Sequence, residues 1–202
     1  MYSYKTIAKE GKGEFKDRGS KFIGLAFPVE TREEADARLQ QVKTEYYDAR
    51  HHCYAFIMGK AGETQFANDD GEPSHSAGDP ILGQIRSLDI TNTLVVVVRY
   101  FGGTKLGVPG LINAYKTAAV LSLENTRVKI IELRFQLMVL FPYESTSSIE
   151  KLINLHNLEY IEKKYGQYCQ LTLSAPEKDR GELIQLLDIL FSRKELIKYN
   201  IL

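Results

Sequence analysis

Tryptophan is absent from this chain of 202 residues, cysteine occurs twice, and the formal net charge is zero. Cys53 and Cys169 stand far apart and neither belongs to a CxxC pair. That excludes a zinc ribbon and a thioredoxin motif, and it fits a reduced, cytoplasmic protein. No long apolar run is present: the longest, Cys53–Met58, has six residues. A membrane-spanning helix needs roughly 18–20, so an integral membrane protein is not expected. The N-terminal stretch MYSYKTIAKEGKGEFKDRG is polar and charged and has no apolar signal segment. Balanced charge argues against a protein that coats nucleic acid by bulk attraction, although a local basic patch stays open. What the chain does have is enough apolar material, 44%, to build a packed core and escape wholesale disorder.

The first half alternates strand-like and helix-like segments. Lys21–Val29 reads as a strand ending near Pro28. Thr31 and Glu34 form a capping-box pattern before Ala35, Leu39 and Val42, which share one helical face. His51–Met58 and Glu63–Ala67 read as strands around the turn Gly59-Lys60-Ala61-Gly62. Ser76–Leu88 and Leu106–Leu123 read as helices, with Ser76 as a helix cap. In Thr93–Arg99, four consecutive valines without alternation imply a central strand buried on both faces. The second half reads β-α-β-β-α-β: a long strand over Arg127–Leu140, a helix at Tyr143–His156, strands at Glu159–Tyr165 and Tyr168–Ala175, a helix at Glu177–Phe191 and a last strand at Glu195–Asn200. This order is the ferredoxin-like pattern. The expected fold class is therefore α+β in two domains, residues 1–126 and 127–202. The first carries 15 basic and 16 acidic residues, the second 11 and 10, so neither is a basic module.

Ionisable residues concentrate in one window: Arg50-His51-His52, then Asn68-Asp69-Asp70-Gly71-Glu72-Pro73-Ser74-His75, then Arg99 through Lys105. His51, Asp69, Asp70, Glu72 and His75 are a candidate polar cluster, either for a metal or for a turn whose aspartates bond their own backbone. Adjacent strand residues point to opposite faces, so His51 and His52 cannot both reach one metal. Asp69-Asp70-Gly71-Glu72 also lacks EF-hand spacing, and no metal or cofactor is expected. Ser74, Ser76 and Cys53 are the local nucleophile options, with Cys53 opening the apolar run as a core residue would. No GxSxG elbow exists, and no catalytic set can be assembled. Phe101-Gly102-Gly103-Thr104-Lys105-Leu106-Gly107 joins a strand to a helix. Its N–H groups, with Arg99 and Lys105, suit a phosphate from a nucleotide or an RNA backbone. Equally, the glycines permit a tight turn and close packing. The spacing is neither Walker A nor GxGxxG.

These residues carry a resemblance. Ala49-Arg50-His51-His52-Cys53-Tyr54-Ala55, Asp69-Asp70-Gly71-Glu72-Pro73-Ser74 with Ala77-Gly78 and Pro80-Ile81-Leu82, and Val97 through Gly107 with Gly110-Leu111 and Ala114-Tyr115 resemble the YigZ/IMPACT family, in order, over about residues 15–120. The resemblance implies an N-terminal α/β sandwich similar to domain IV of elongation factor G, and a C-terminal domain like the last domain of that factor. Eukaryotic members regulate translation, and both folds resemble parts that touch ribosomal RNA. The function implied is a translation-associated, non-enzymatic module whose partner is RNA, the ribosome or a translation factor. Arg50, His52, Arg99, Gly102, Gly103, Lys105 and Tyr115 are the candidate anion- and RNA-binding residues. The alternative is a metal- or phosphate-dependent hydrolase built on Asp69, Asp70, Glu72 and His75. A pure protein-interaction module is a third reading. His75-Ser76 stands where Gly-Thr is common, Asp79 where arginine is common, and Pro109 replaces a glycine. The loss of an arginine at 79 removes a cation from beside the glycine turn.

Overall fold

A computed structural model describes residues 1–202. The chain forms two compact units, Met1 with Ser3–Ile131, and Tyr2 with Glu132–Leu202. No helix is long and apolar enough to cross a membrane.

The first unit contains β1 (Ser3–Ile7), β2 (Gly11–Asp17), β3 (Ser20–Pro28), α1 (Arg32–Glu45), β4 (His51–Met58), β5 (Thr64–Asn68), α2 (Gly78–Ser87), β6 (Thr93–Tyr100), α3 (Gly107–Glu124) and most of β7 (Val128–Glu132). Five strands make one antiparallel sheet in the order β2-β3-β6-β4-β5. Strand β6 is central, and its side chains divide by parity. Val95 and Val97 enter a core shared with Ile81, Ile85, Leu111 and Ala118 of α2 and α3. Leu94, Val96 and Val98 enter a second core shared with Ala35 and Val42 of α1. The four valines are therefore buried on both faces, as their lack of alternation implies. Helix α3 lies close against β2 and β3: a Cβ on Gly24 would fall 2.2 Å from the carbonyl oxygen of Ala118. Glycine is required there by close approach.

Helix α1 starts as half of a capping box. Thr31 Oγ1 accepts the N–H of Glu34 at 3.2 Å. The Glu34 carboxylate accepts from Glu30 N–H at 2.7 Å rather than from Thr31.

One strand reading is corrected, and two strands are added. Arg127–Leu140 is not one strand. It breaks at Leu133 because its halves serve different sheets: β7 pairs with β1, while β8 (Arg134–Phe141) belongs to the second unit. Residues 127–131 accordingly pack with the first unit. Strand β2 carries lysine, glutamate and glycine, and the five-residue β1 has its β-branched residues only at its end, Thr6 and Ile7, so the sequence pattern does not mark them.

The second unit continues with α4 (Thr146–Leu155), β9 (Glu159–Tyr165), β10 (Cys169–Pro176), α5 (Arg180–Ser192) and β11 (Lys198–Ile201). Short 3₁₀ turns lead into both helices. Its antiparallel sheet has the order β11-β8-β10-β9. That is the ferredoxin-like arrangement, and alternate residues of β8 and β10 face Ile149, Leu183 and Leu187 of the helices.

Truncating Val96 or Val97 to alanine should cost about 1–3 kcal/mol, from lost burial plus a residual cavity. Urea denaturation of the two variants checks this; an unchanged midpoint in both would contradict a two-sided central strand.

Candidate functional site

Strand register gathers four connections at one end of the five-stranded sheet. Asp17 faces Ser20 across the β2–β3 turn, Lys21 faces Tyr100, His51 faces Arg99, and Tyr54 faces Asn68. The turn at Arg18-Gly19, the residues before β4, the loop from Asp69 to Ala77 and the turn from Phe101 to Leu106 all lie there.

The three acidic residues of the 69–72 loop each have a structural employer. Asp69 reaches the start of α2: Oδ1 accepts from Ala77 N–H at 2.9 Å and Gly78 N–H at 2.8 Å, and Oδ2 accepts from His75 N–H at 2.8 Å. Burial disfavours its charge, yet the N–H groups of Gly78, His75 and Ala77 outweigh that and hold the carboxyl below its ordinary range. Ser76 does not cap the helix; its hydroxyl donates to the Pro73 carbonyl at 2.6 Å. Asp70 Oδ2 accepts from His52 N–H at 2.7 Å, and the Asp70 carbonyl lies 2.8 Å from His51 Nδ1. The His52 ring places Nε2 3.0 Å from the Tyr46 carbonyl and Nδ1 3.8 Å from Asp70 Oδ2.

Glu72 forms the deepest contact. Its side chain is 4% exposed and that of Arg99 is 7%. Glu72 Oε1 accepts from Arg99 Nη1 at 2.5 Å and from Tyr115 O–H at 2.8 Å. The guanidinium lies 5.5 Å from the Phe22 ring centre and 5.6 Å from that of Phe101. Phe22 meets Tyr115 edge-on at 5.2 Å. Arg99 Nε is buried without a partner. Burial, followed by Cys53 and Glu72, pushes the Tyr115 phenol up, so it stays a neutral donor. Burial likewise raises the Cys53 thiol, whose Sγ donates to the Asp69 carbonyl at 2.9 Å. A protonated, buried thiol is a core group rather than a nucleophile.

The glycine turn divides between packing and exposure. A Cβ on Gly102 would lie 1.8 Å from the carbonyl carbon of Gly19, and Gly102 N–H donates to Ser20 Oγ at 3.1 Å. Gly103 has φ +85° and open space around it, so glycine is needed for the backbone alone. Lys105 is exposed, and α3 begins beyond it without a side-chain cap.

The candidate residues therefore separate. Glu72, Arg99 and Tyr115 meet at one carboxylate oxygen. Asp70, His51 and His52 form a second group. Arg50 and Lys105 are exposed at the same sheet end and make no ion pair. His75 is also exposed; Asp79, first by hydrogen bonding at 2.6 Å and then by charge, raises its pKa. No three His, Cys, Asp or Glu side chains converge as metal ligands. The sequence reading missed Arg18, an exposed cation with φ +44° in the turn that touches Gly102. Its only signal was the Asp-Arg-Gly-Ser turn pattern.

The Impact N-terminal domain profile matches residues 18–123, which contain every one of these loops. The chain belongs to the IMPACT family. IMPACT family member YvyE of Bacillus subtilis is 42% identical over 115 residues, 57% of this chain and 53% of that protein. The chain thus spans about half the length of this relative. IMPACT family member YigZ of Escherichia coli is 31% identical over 159 residues, 78% of each chain. A solved structure described as that of a hypothetical protein has a TM-score of 0.67 at 29% identity, covering 100% of this chain and 97% of its own. The IMPACT profile stops near the end of α3, whereas that structure extends over both units.

Two outcomes follow from this geometry. Glu72→Ala leaves Arg99 charged and buried, and should cost about 3–5 kcal/mol. Adding Arg99→Met removes the stranded charge and should recover part of the loss, a comparison that urea melts resolve. Asp69 has a folded pKa below its unfolded one. Its contribution is present above the unfolded value, about 3.9, and is lost as pH falls through the folded value. Asp69→Asn should therefore flatten the acid limb of the stability–pH profile below about pH 4; an unchanged limb contradicts the capping role.

Proposed function

We propose that this IMPACT family chain is a translation-associated regulatory protein that acts by binding, with RNA or the RNA of the ribosome as its partner. The observation that carries this reading is the loop end of the first unit, where Arg18, Arg50 and Lys105 are exposed cations without an internal carboxylate partner. Phe101 and Tyr47, 52% and 84% exposed, offer ring faces at the same end. Cations tracking a backbone, interleaved with aromatic faces for stacking, are the ordinary means of holding single-stranded RNA. Membership in a family whose eukaryotic members regulate translation supports a partner in the translation apparatus.

The geometry supports binding over hydrolysis. A general base needs a carboxylate or imidazole free to reach a substrate proton. Asp69, Asp70 and Glu72 are engaged with backbone N–H groups, Arg99 and Tyr115, and the ring of the exposed His75 is paired with Asp79. Arg99 and Tyr115, candidates for anion contact, support the surface from beneath. Contact with RNA falls to Arg18, Arg50 and Lys105.

RNA affinity measured at several salt concentrations tests the reading. Each phosphate contact to a single strand contributes about 0.7 to the slope of log affinity against log salt. Lys105→Ala and Arg50→Ala should each reduce that slope by about one contact and leave the thermal melt in place. An unchanged slope and affinity in both variants would remove the RNA reading.

A further inference from the structure

Strand β4 begins at the loop end and finishes at Met58, where the opposite end of the sheet holds a recess of about 350 Å³. That volume lies within the range of pockets for small organic ligands. The floor is apolar, made by Ile57 and Ile90, which are 4% and 3% exposed. The rim carries an excess of positive charge. Lys5 of β1, Lys60 of the β4–β5 turn and Arg86 of α2 face a single lining carboxylate, Asp89. Lys5 is already neutralised by Asp89 at 3.2 Å. The four groups together leave a charge of +2.

Arg86 is held in place. Its Nε donates to Gln65 Oε1 at 2.8 Å, and Gln65 Nε2 donates in turn to the Gly62 carbonyl at 3.1 Å. This orders the guanidinium and leaves both terminal Nη groups free, the fork that grips two oxygens of a phosphate. Lys60 makes no ion pair in the fold. The excess of +2 matches a dianionic phosphate monoester, and the isoleucine floor suits a flat ring attached to it.

We propose that this recess binds a phosphate monoester of mononucleotide size, with Arg86 and Lys60 on the phosphate and the ring over Ile57 and Ile90. The site is separate from the loop end and does not depend on RNA binding there.

Titration calorimetry with adenosine 5′-monophosphate, adenosine and inorganic phosphate tests the proposal, with amide shifts of Gly62 and Thr91 as a local readout. The monophosphate should bind saturably, more tightly than either phosphate or adenosine. Arg86→Ala should weaken it about tenfold or more, by loss of a bidentate charged contact. Arg86→Lys keeps the charge but loses the fork, and should recover only part of the affinity. Lys60→Ala, in an exposed turn, should weaken binding severalfold without lowering the melting temperature. Lys105→Ala, at the far end, should leave it unchanged. The proposal is overturned by absence of saturable binding, by affinity insensitive to both Arg86→Ala and Lys60→Ala, or by phosphate binding as tightly as the nucleotide.

Discussion

The first unit depends on one buried carboxylate. Removing Glu72 from water disfavours its charge, and removing Arg99 disfavours that charge too. The two offset that cost by lying 2.5 Å apart in a medium that screens weakly, with Tyr115 O–H adding a second donor at the same oxygen. The aromatic rings of Phe22 and Phe101 beside the guanidinium replace part of its lost hydration. The contact joins three pieces of chain that are remote in sequence: the loop after β5, the end of β6 and the interior face of α3. It ties the loop to β6 and α3, as Asp70 ties it to β4. Arg99 Nε is left without a partner, a cost the fold carries where it secures that crossing.

Fixing Glu72 also fixes its neighbours. With the loop pinned at residue 72, Asp69 sits where it can serve as a remote cap for α2, a helix whose own cap position, Ala77, has no side chain able to do so. Asp70 is carried against the start of β4, where it accepts the His52 N–H. A window that looks catalytic by composition thus turns its negative charge inward onto backbone and arginine. Positive charge remains outside, on Arg18, Arg50 and Lys105. The division lets a chain of zero net charge leave three cations exposed and unpaired at one sheet end.

Much of this was legible in the sequence. Four valines in a row could only be a strand covered on both sides, and Ile149, Leu152 and Ile153 marked a helix facing one sheet. Opposite orientation of His51 and His52 followed from strand geometry alone. The residues of the site were visible as types, since Arg99, Tyr115 and Glu72 all fell within the motifs that carry the family resemblance. Their partnership was not visible. Glu72 and Arg99 are 27 residues apart and Tyr115 a further 16 along, so their meeting depends on strand register and helix placement. The requirement for glycine at 102 is equally non-local, because the obstructing atom belongs to Gly19. Leu133 gave no break signal, since the chain changes sheets there without proline or glycine.

The two ends of the five-stranded sheet use charge in opposite ways. At the loop end, Arg18, Arg50 and Lys105 stand exposed outside an interior where Glu72 is paired with Arg99. At the other end, Lys60 and Arg86 rim a recess with Ile57 and Ile90 at its floor. Strand β4 has eight residues, which at roughly 3.4 Å each separates the ends by about 25 Å. Charges that far apart across solvent are about three Debye lengths from each other at physiological salt. Neither end perturbs the other through its field. Influence of one end on the other would pass through packed elements that reach both, strand β4 and helix α2, the latter tied by Asp69 at its start and by the Arg86–Gln65 bond in its last turn.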